Sequence, residues 1–220
     1  MIYTCTINTP LGSMTAAAKD DALIGLWFIG QKYYPSQTAN WIREPDYPIF
    51  KPIENYLTRY FSGKASVLDI RLAPHGSSFQ KMGWGIILKI PMGQVAAYGQ
   101  IAKYIAQTQG LASMSARAVG GAVGYNPISI LIPCHRVVGF SRKPTGYAGG
   151  LDKKAALLRI EKVNLERVDL RVNGVRFVEE KKGPGYFSAK SSLSPFLFNH
   201  ALLYRITSYF GRECHMSTLR

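Results

Sequence analysis

Ile130-Leu131-Ile132 runs straight into Pro133-Cys134-His135-Arg136, and Val137-Val138 follow. A cysteine at the end of an apolar run, with an imidazole and a guanidinium immediately after it, is placed for nucleophilic chemistry. The thiolate is the reactive form of cysteine, and a neighbouring base or cation lowers the cost of making it. A lone cysteine in a folded protein is usually a small buried hydrophobe. Cys134, held between proline and His-Arg in a stretch without acidic residues, departs from that habit. A second unusual run precedes it: Ser115-Ala116-Arg117-Ala118-Val119-Gly120-Gly121-Ala122-Val123. Adjacent glycines in a helix each cost about 1 kcal/mol relative to alanine. They serve either close packing against a neighbouring helix or the approach of the helix backbone to a groove, with Arg117 projecting; we read the second.

The elements that must position these residues follow from periodicity. Ile2 to Ile7, Ser13 to Ala18 and Leu23 to Phe28 are short apolar runs separated by Thr9-Pro10-Leu11-Gly12 and Lys19-Asp20-Asp21, the pattern of a β-meander. Pro48 opens a helix carrying Phe50, Ile53, Leu57, Tyr60 and Phe61, closed by Gly63. Leu68 to Leu72 adds a strand. From Ser77 or Ser78 as cap, Phe79, Met82, Ile86 and Ile90 recur at helical spacing up to the break at Pro91-Met92-Gly93. Helices over about Tyr98 to Gln107 and Ser115 to Val123 make a helix-turn-helix pattern. Beyond Glu161, Arg167 to Val178 reads as a β-hairpin around Asn173-Gly174, and Lys181 to Ser194 as a linker.

Charge separates the same regions. The 220 residues carry 27 basic and 13 acidic side chains, a net of +14. Residues 1–78 hold seven basic and six acidic groups, residues 79–165 eleven and two, and residues 166–220 nine and five. No Asp or Glu occurs between Asp69 and Asp152. A solvated surface normally mixes signs, so the middle segment points to a polyanionic partner, nucleic acid foremost. The longest apolar candidate, Leu193 to Phe210, is interrupted by Asn199, His200 and Arg205, which argues against a membrane span. Three cysteines, Cys5, Cys134 and Cys214, are too few and scattered for a disulfide framework, and no secretory signal is visible. A reduced, cytoplasmic location is expected, or a nuclear one in a eukaryote.

Pro133-Cys134-His135-Arg136-Val137 resembles the active-site motif of the O6-alkylguanine-DNA alkyltransferases, the methylated-DNA–protein-cysteine methyltransferases. Ala116-Arg117-Ala118-Val119-Gly120-Gly121 resembles their recognition helix, and Asn126-Pro127 the loop that follows it. Gly146-Tyr147-Ala148-Gly149-Gly150, with Leu157-Leu158-Arg159-Ile160-Glu161, resembles the lid and helix that close their pocket. Phe79-Gln80, Ile90-Pro91 and Tyr98-Gly99 resemble the start of the same domain. Thr9-Pro10-Leu11-Gly12 resembles the opening hairpin of their N-terminal domain. The resemblance spans roughly residues 1–165 and is strongest from 79 to 161.

What it implies is an α+β protein in three parts. Residues 1–78 form a small α/β domain with an antiparallel, ribonuclease H-like sheet. Residues 79–165 form a mainly α, winged-helix-like helix-turn-helix domain that binds DNA and accepts the alkyl group. Residues 166–220 are an extension of open role. The implied reaction is direct reversal of DNA damage: O6-alkylguanine (O4-alkylthymine is a further candidate) in duplex DNA is flipped out, and its alkyl group passes irreversibly to Cys134. His135 and Glu161 draw the thiol proton away through a bridging water, Asn126 orders the turn beneath the cysteine, and Tyr98 acts on the adjacent phosphate and guanine N3. Arg117 replaces the flipped base, with Ser115, Ala118, Tyr98 and Arg136 as further DNA contacts. Val123, Val137, Tyr147 and Ala148 line the pocket. The chain is expected to act as a monomer and to need no cofactor. Cys5 matches one ligand of the zinc site of some relatives, but His75 is the only other Cys or His before Cys134, so no metal is expected. The stretch from Tyr98 to Arg117 is longer than the family pattern. Two other readings compete: a non-catalytic helix-turn-helix damage sensor or regulator, and a cysteine hydrolase, which would turn over repeatedly and need neither Arg117 nor the basic segment.

Overall fold

A computed structural model describes residues 1–64, 67–139 and 145–163 and the backbone of 170–172 and 175–177. Three apolar runs form the expected meander: β1 (Tyr3–Ile7), β2 (Met14–Lys19) and β3 (Ala22–Phe28), with antiparallel neighbours. Two short parallel strands complete the sheet at its edges, so it is mixed. β4 (Ile42–Arg43) lies beside β1, and β5 (Arg71–Leu72), inside the expected Leu68–Leu72 stretch, lies beside β3. β4 had no sequence signal, because two exposed residues carry no period. Across Ala17 and Ala18 the register shifts, and Ile24 is the additional residue in β3. Leu23 and Leu26, three apart, therefore share the face that packs on α1 (Phe50–Phe61), while Ile24 and Trp27 turn to the other. α1 buries Phe50, Ile53, Leu57 and Tyr60, and Gly63 ends it at φ +71°, a conformation glycine adopts freely.

The second half is helical. Ser77 caps α2 (Ser78–Ile87): its hydroxyl accepts from the Gln80 N–H, and the Gln80 side chain accepts from the Ser77 N–H at 2.8 Å. α2 closes at Ile87, short of the expected Ile90, and buries Trp84 and Ile87 in preference to Phe79 and Met82. The helix-turn-helix pair is α3 (Tyr98–Thr108), preceded by β6 (Ala96–Ala97), and α4 (Ala116–Gly124). Trp84 Nε1 donates to the Ala122 carbonyl at 3.0 Å and pins α2 to α4. A single 3-10 turn, Cys134–Arg136, leads into β7 (Val137–Val138), which runs parallel to β6. α5 (Leu151–Ile160) follows. β8 (Leu170–Val172) and β9 (Val175–Phe177) pair antiparallel on either side of Asn173-Gly174, as expected. The expected linker and the rest of the extension lie outside the described residues.

One core runs through both halves. Leu26 and Phe28 of β3 pack in the same cluster as Ile128, Ile130, Ile132, Cys134, Val137 and Leu157. β3 also bonds directly to the segment leading to Cys134: the Leu26 N–H donates to Pro127 O, and the Ser129 N–H to Leu26 O, both at 2.8 Å. The approach to the cysteine is thus held by the N-terminal sheet.

Candidate active site

Cys134 begins the 3-10 turn, just after the run in which Ile130 and Ile132 are buried, and is 6% exposed. Asn126, buried in the loop after α4, holds this turn. Its Oδ1 accepts from the Ile128 N–H at 2.9 Å, while its Nδ2 donates to Ile132 O at 2.8 Å and to Cys134 Sγ at 3.0 Å. Burial pushes the thiol pKa up; the Asn126 hydrogen bond, the Lys154 charge and backbone amides act the other way. The sulfur is therefore a thiol at rest, in surroundings already arranged to take a negative charge.

His135 is fully buried. Its Nε2 lies 2.8 Å from Glu161 Oε1, where Glu161 closes the C-terminal end of α5. Burial lowers the imidazole pKa against the pull of Glu161, so the ring is neutral. Facing a carboxylate, Nε2 carries the proton and donates, which leaves the Nδ1 lone pair as the base. Nδ1 is buried with no hydrogen-bond partner among the described residues. For Glu161 itself, burial would raise the pKa; hydrogen bonds from His135 and Arg136 and the Arg136 charge outweigh it and bring the value down to about 2. The carboxylate is ionised and stands where it can orient the ring and stabilise an imidazolium.

Arg136, placed above among the DNA contacts, turns inward. Its Nε and Nη2 donate to the two Glu161 oxygens at 2.8 and 2.9 Å, and Nη1 donates to the Ile90 carbonyl at 2.6 Å. A buried carboxylate without such a partner would be costly, and this need claims the guanidinium.

A thiolate at Cys134 would raise the pKa values of two further groups, Tyr98 and Tyr147. Burial and then Cys134 push the Tyr98 phenol up to about 12, and Tyr147 shifts the same way for the same leading causes. Tyr98 opens α3 and donates to Thr145 O at 3.3 Å. The Tyr147 hydroxyl is buried and unpartnered among the described residues. Gly149 allows this placement of the ring, since a Cβ there would lie 2.8 Å from Tyr147 and 3.2 Å from Phe28. The Ala148 carbonyl accepts from the Lys32 N–H at 2.9 Å.

Sequence reasoning missed Lys154 on α5. It is fully buried, and its ammonium donates to the carbonyls of Val137, Thr145 and Gly146, tying the loop over the site to β7. Burial lowers its pKa to about 8, although the Cys134 charge pulls it upward. In a segment crowded with cations, no signal distinguished this lysine from a solvated one.

α4 presents the rest. Ser115 caps it, accepting from the Ala118 N–H at 3.3 Å, and Ser115, Arg117, Ala118 and Gly121 are exposed. A Cβ on Gly121 would meet nothing, and one on Gly120 would make only ordinary contact with Tyr98 at 3.7 Å. Internal packing therefore requires neither glycine, which favours the open-groove reading. Val123, expected in the pocket, is buried on the inner face of α4 within the core.

Fold and site together define a cysteine-nucleophile protein built on a helix-turn-helix module. The sequence model of the family described as "6-O-methylguanine DNA methyltransferase, ribonuclease-like domain" matches residues 1–74, and that described as "6-O-methylguanine DNA methyltransferase, DNA binding domain" matches residues 78–163. The chain belongs to this family. Among its relatives, the methylated-DNA–protein-cysteine methyltransferase of Mycobacterium tuberculosis is 43% identical over 162 residues, covering 74% of this chain and 93% of the relative. That of Methanosarcina mazei is 39% identical over 165 residues, covering 75% of this chain and all of the relative. The crystal structure of Mycobacterium tuberculosis OGT in complex with DNA superposes with a TM-score of 0.65 at 40% identity, covering 73% of this chain and 93% of that one.

Proposed function

We propose that this chain repairs alkylated DNA by direct reversal, moving the alkyl group from guanine O6 in duplex DNA irreversibly onto Cys134. One conjunction carries the reading: a buried thiol held by Asn126, a neutral imidazole on a carboxylate, and an open helix presenting Arg117, all in one module. The target carbon is inaccessible in stacked DNA, so the base must leave the helix at a cost of a few kcal/mol. α4 lies in the minor groove, where Ser115, Ala118 and Gly121 let its backbone approach and Arg117 fills the gap. The flipped base enters beside Tyr98, Tyr147 and Cys134, framed by the backbone at Val137 and Ala148.

His135 takes the thiol proton at Nδ1 through a bridging water, and Glu161 stabilises the imidazolium. The thiolate attacks the alkyl carbon, forming the S–C bond as the C–O6 bond breaks and guanine leaves with the electron pair. Tyr98, kept protonated by burial, donates a hydrogen bond to N3 of the leaving guanine anion. The proton taken from the thiol passes from the His135 imidazolium through water to that anion, which leaves as neutral guanine with N1 protonated. The product is a thioether, which no group in the site can cleave, so each chain reacts once. The chain acts as a monomer without a cofactor, in the cytoplasm or, in a eukaryote, the nucleus.

Incubation with duplex containing O6-methylguanine, followed by intact-mass measurement, is expected to add one methyl group per chain, on Cys134. Cys134→Ala gains none and still binds the duplex, because the thiol contributes reaction and little affinity. Transfer beyond one group per chain overturns the suicide mechanism. Binding without any mass change would instead identify a non-catalytic DNA-binding protein.

A further inference from the structure

The Glu161 carboxylate receives a donor from the other half of the molecule. Tyr60, on the last turn of α1, donates its hydroxyl to Glu161 Oε1 at 2.8 Å across 101 residues of sequence. Both groups are buried. Burial and the Glu161 charge push the Tyr60 phenol far above its ordinary range, so it can only donate. Oε1 thus accepts from three groups, His135 Nε2, Arg136 Nη2 and Tyr60 Oη, and Oε2 accepts from Arg136 Nε. The tyrosine ring stands against Tyr56 and Phe61, at centroid distances of 6.2 and 5.4 Å.

We propose that Tyr60 is a positioning residue for alkyl transfer: its hydroxyl fixes the Glu161 carboxylate, so that the N-terminal unit completes the base of the alkyl-acceptor site. The proposal rests on the function given above. Three donors on one oxygen divide the same negative charge. Each weakens the hold of that oxygen on the His135 N–H and restrains its rotation away from the ring. With the Tyr60 hydroxyl gone, the carboxylate turns more of its charge to His135, and the imidazolium is favoured. A larger share of chains then begins with Nδ1 already protonated and unable to take the thiol proton. The charged and titratable groups acting on this pair among the described residues are Arg136 from its own turn, Lys154 from α5, Tyr147 from the segment before α5 and Tyr56 from α1, beside Tyr60; the variant below leaves them all in place.

The test is Tyr60→Phe in the full chain, which keeps the ring in the core and removes only the oxygen. The rate of single-turnover transfer to free O6-benzylguanine is followed against pH, and the His135 ring is titrated by nitrogen NMR in the same protein. The acid limb of the rate and the His135 midpoint are both expected to move to higher pH, by roughly half a unit or more. Packing damage alone would lower the rate at every pH and leave both midpoints in place. Superimposable midpoints in variant and wild type overturn the proposal. A wild-type chain that reacts with no alkylguanine overturns the proposed function, and the NMR titration still decides the role of Tyr60.

Discussion

Arg117 and Cys134 require different tests, because in the proposed reaction one acts on the DNA and the other on the alkyl group. An arginine that only touched phosphate would weaken binding roughly uniformly and lower the salt slope by about one. An arginine that occupies the gap in the stack instead sets the cost of holding the base outside. That cost exists in duplex DNA and is nearly absent for a free base, which has no stack to leave. Arg117→Ala is therefore expected to lose most of its transfer rate on duplex substrate and little of it on free O6-benzylguanine, in parallel single-turnover assays. Equal losses would make Arg117 a support of the fold. Cys134, His135, Asn126 and Glu161 were legible in the sequence because their types carry chemistry and an ordered set of motifs surrounds them. The roles of Arg136, Lys154 and Tyr60 were not, since each depends on which carboxylate or carbonyl the fold brings to it. The sequence says that Arg136 is a cation beside a cysteine; only the tertiary structure says that a buried acid claims it.

Strands and helices with a strong period were readable: the meander, the apolar face of α1 and the capped start of α2 stand where the pattern puts them. β4 and the displacement at Ile24 were not, because a two-residue exposed strand and a single inserted residue leave no period. The segment between Thr145 and α5 lies between these cases, with glycines that mark a turn but do not tell what the turn must clear. Gly149 has an answer in the Tyr147 ring, 2.8 Å from where a Cβ would stand, and in Phe28 behind it. Gly149→Ala must displace the Tyr147 ring, and if that ring lines the pocket as proposed, a shift of about 1 Å there lowers the rate by up to a hundredfold. The expected loss is the same on duplex and on free O6-benzylguanine, with affinity for undamaged DNA unchanged, the opposite pattern to Arg117→Ala. A rate at the wild-type level would remove Tyr147 from the site.

Over the whole molecule, the excess positive charge of residues 79–165 divides into an inner and an outer part. Arg136 and Lys154 are turned inward, against Glu161 and against three carbonyls, whereas Arg117 remains on the outer face of α4. Glu161 is where the parts of the protein meet: it takes donors from α1 and from the cysteine turn, and Arg136 of that turn also donates to the Ile90 carbonyl. Protonating it should loosen the fold as well as the reaction. Its pKa in the folded chain is about 2, below the ordinary 4.5. Between those values the unfolded chain binds more protons than the folded one, so stability falls as the pH falls. The contribution is complete above about pH 4.5 and lost as the pH descends through about 2. Glu161→Gln lacks it at every pH. Urea midpoints of wild type and variant, measured from pH 5 down to pH 2, are therefore expected to converge, since the other carboxylates titrate equally in both. Parallel curves across that range would mean that the carboxylate is not held ionised by its partners, and the assignment of Glu161 as the anionic support of His135 would fail with it.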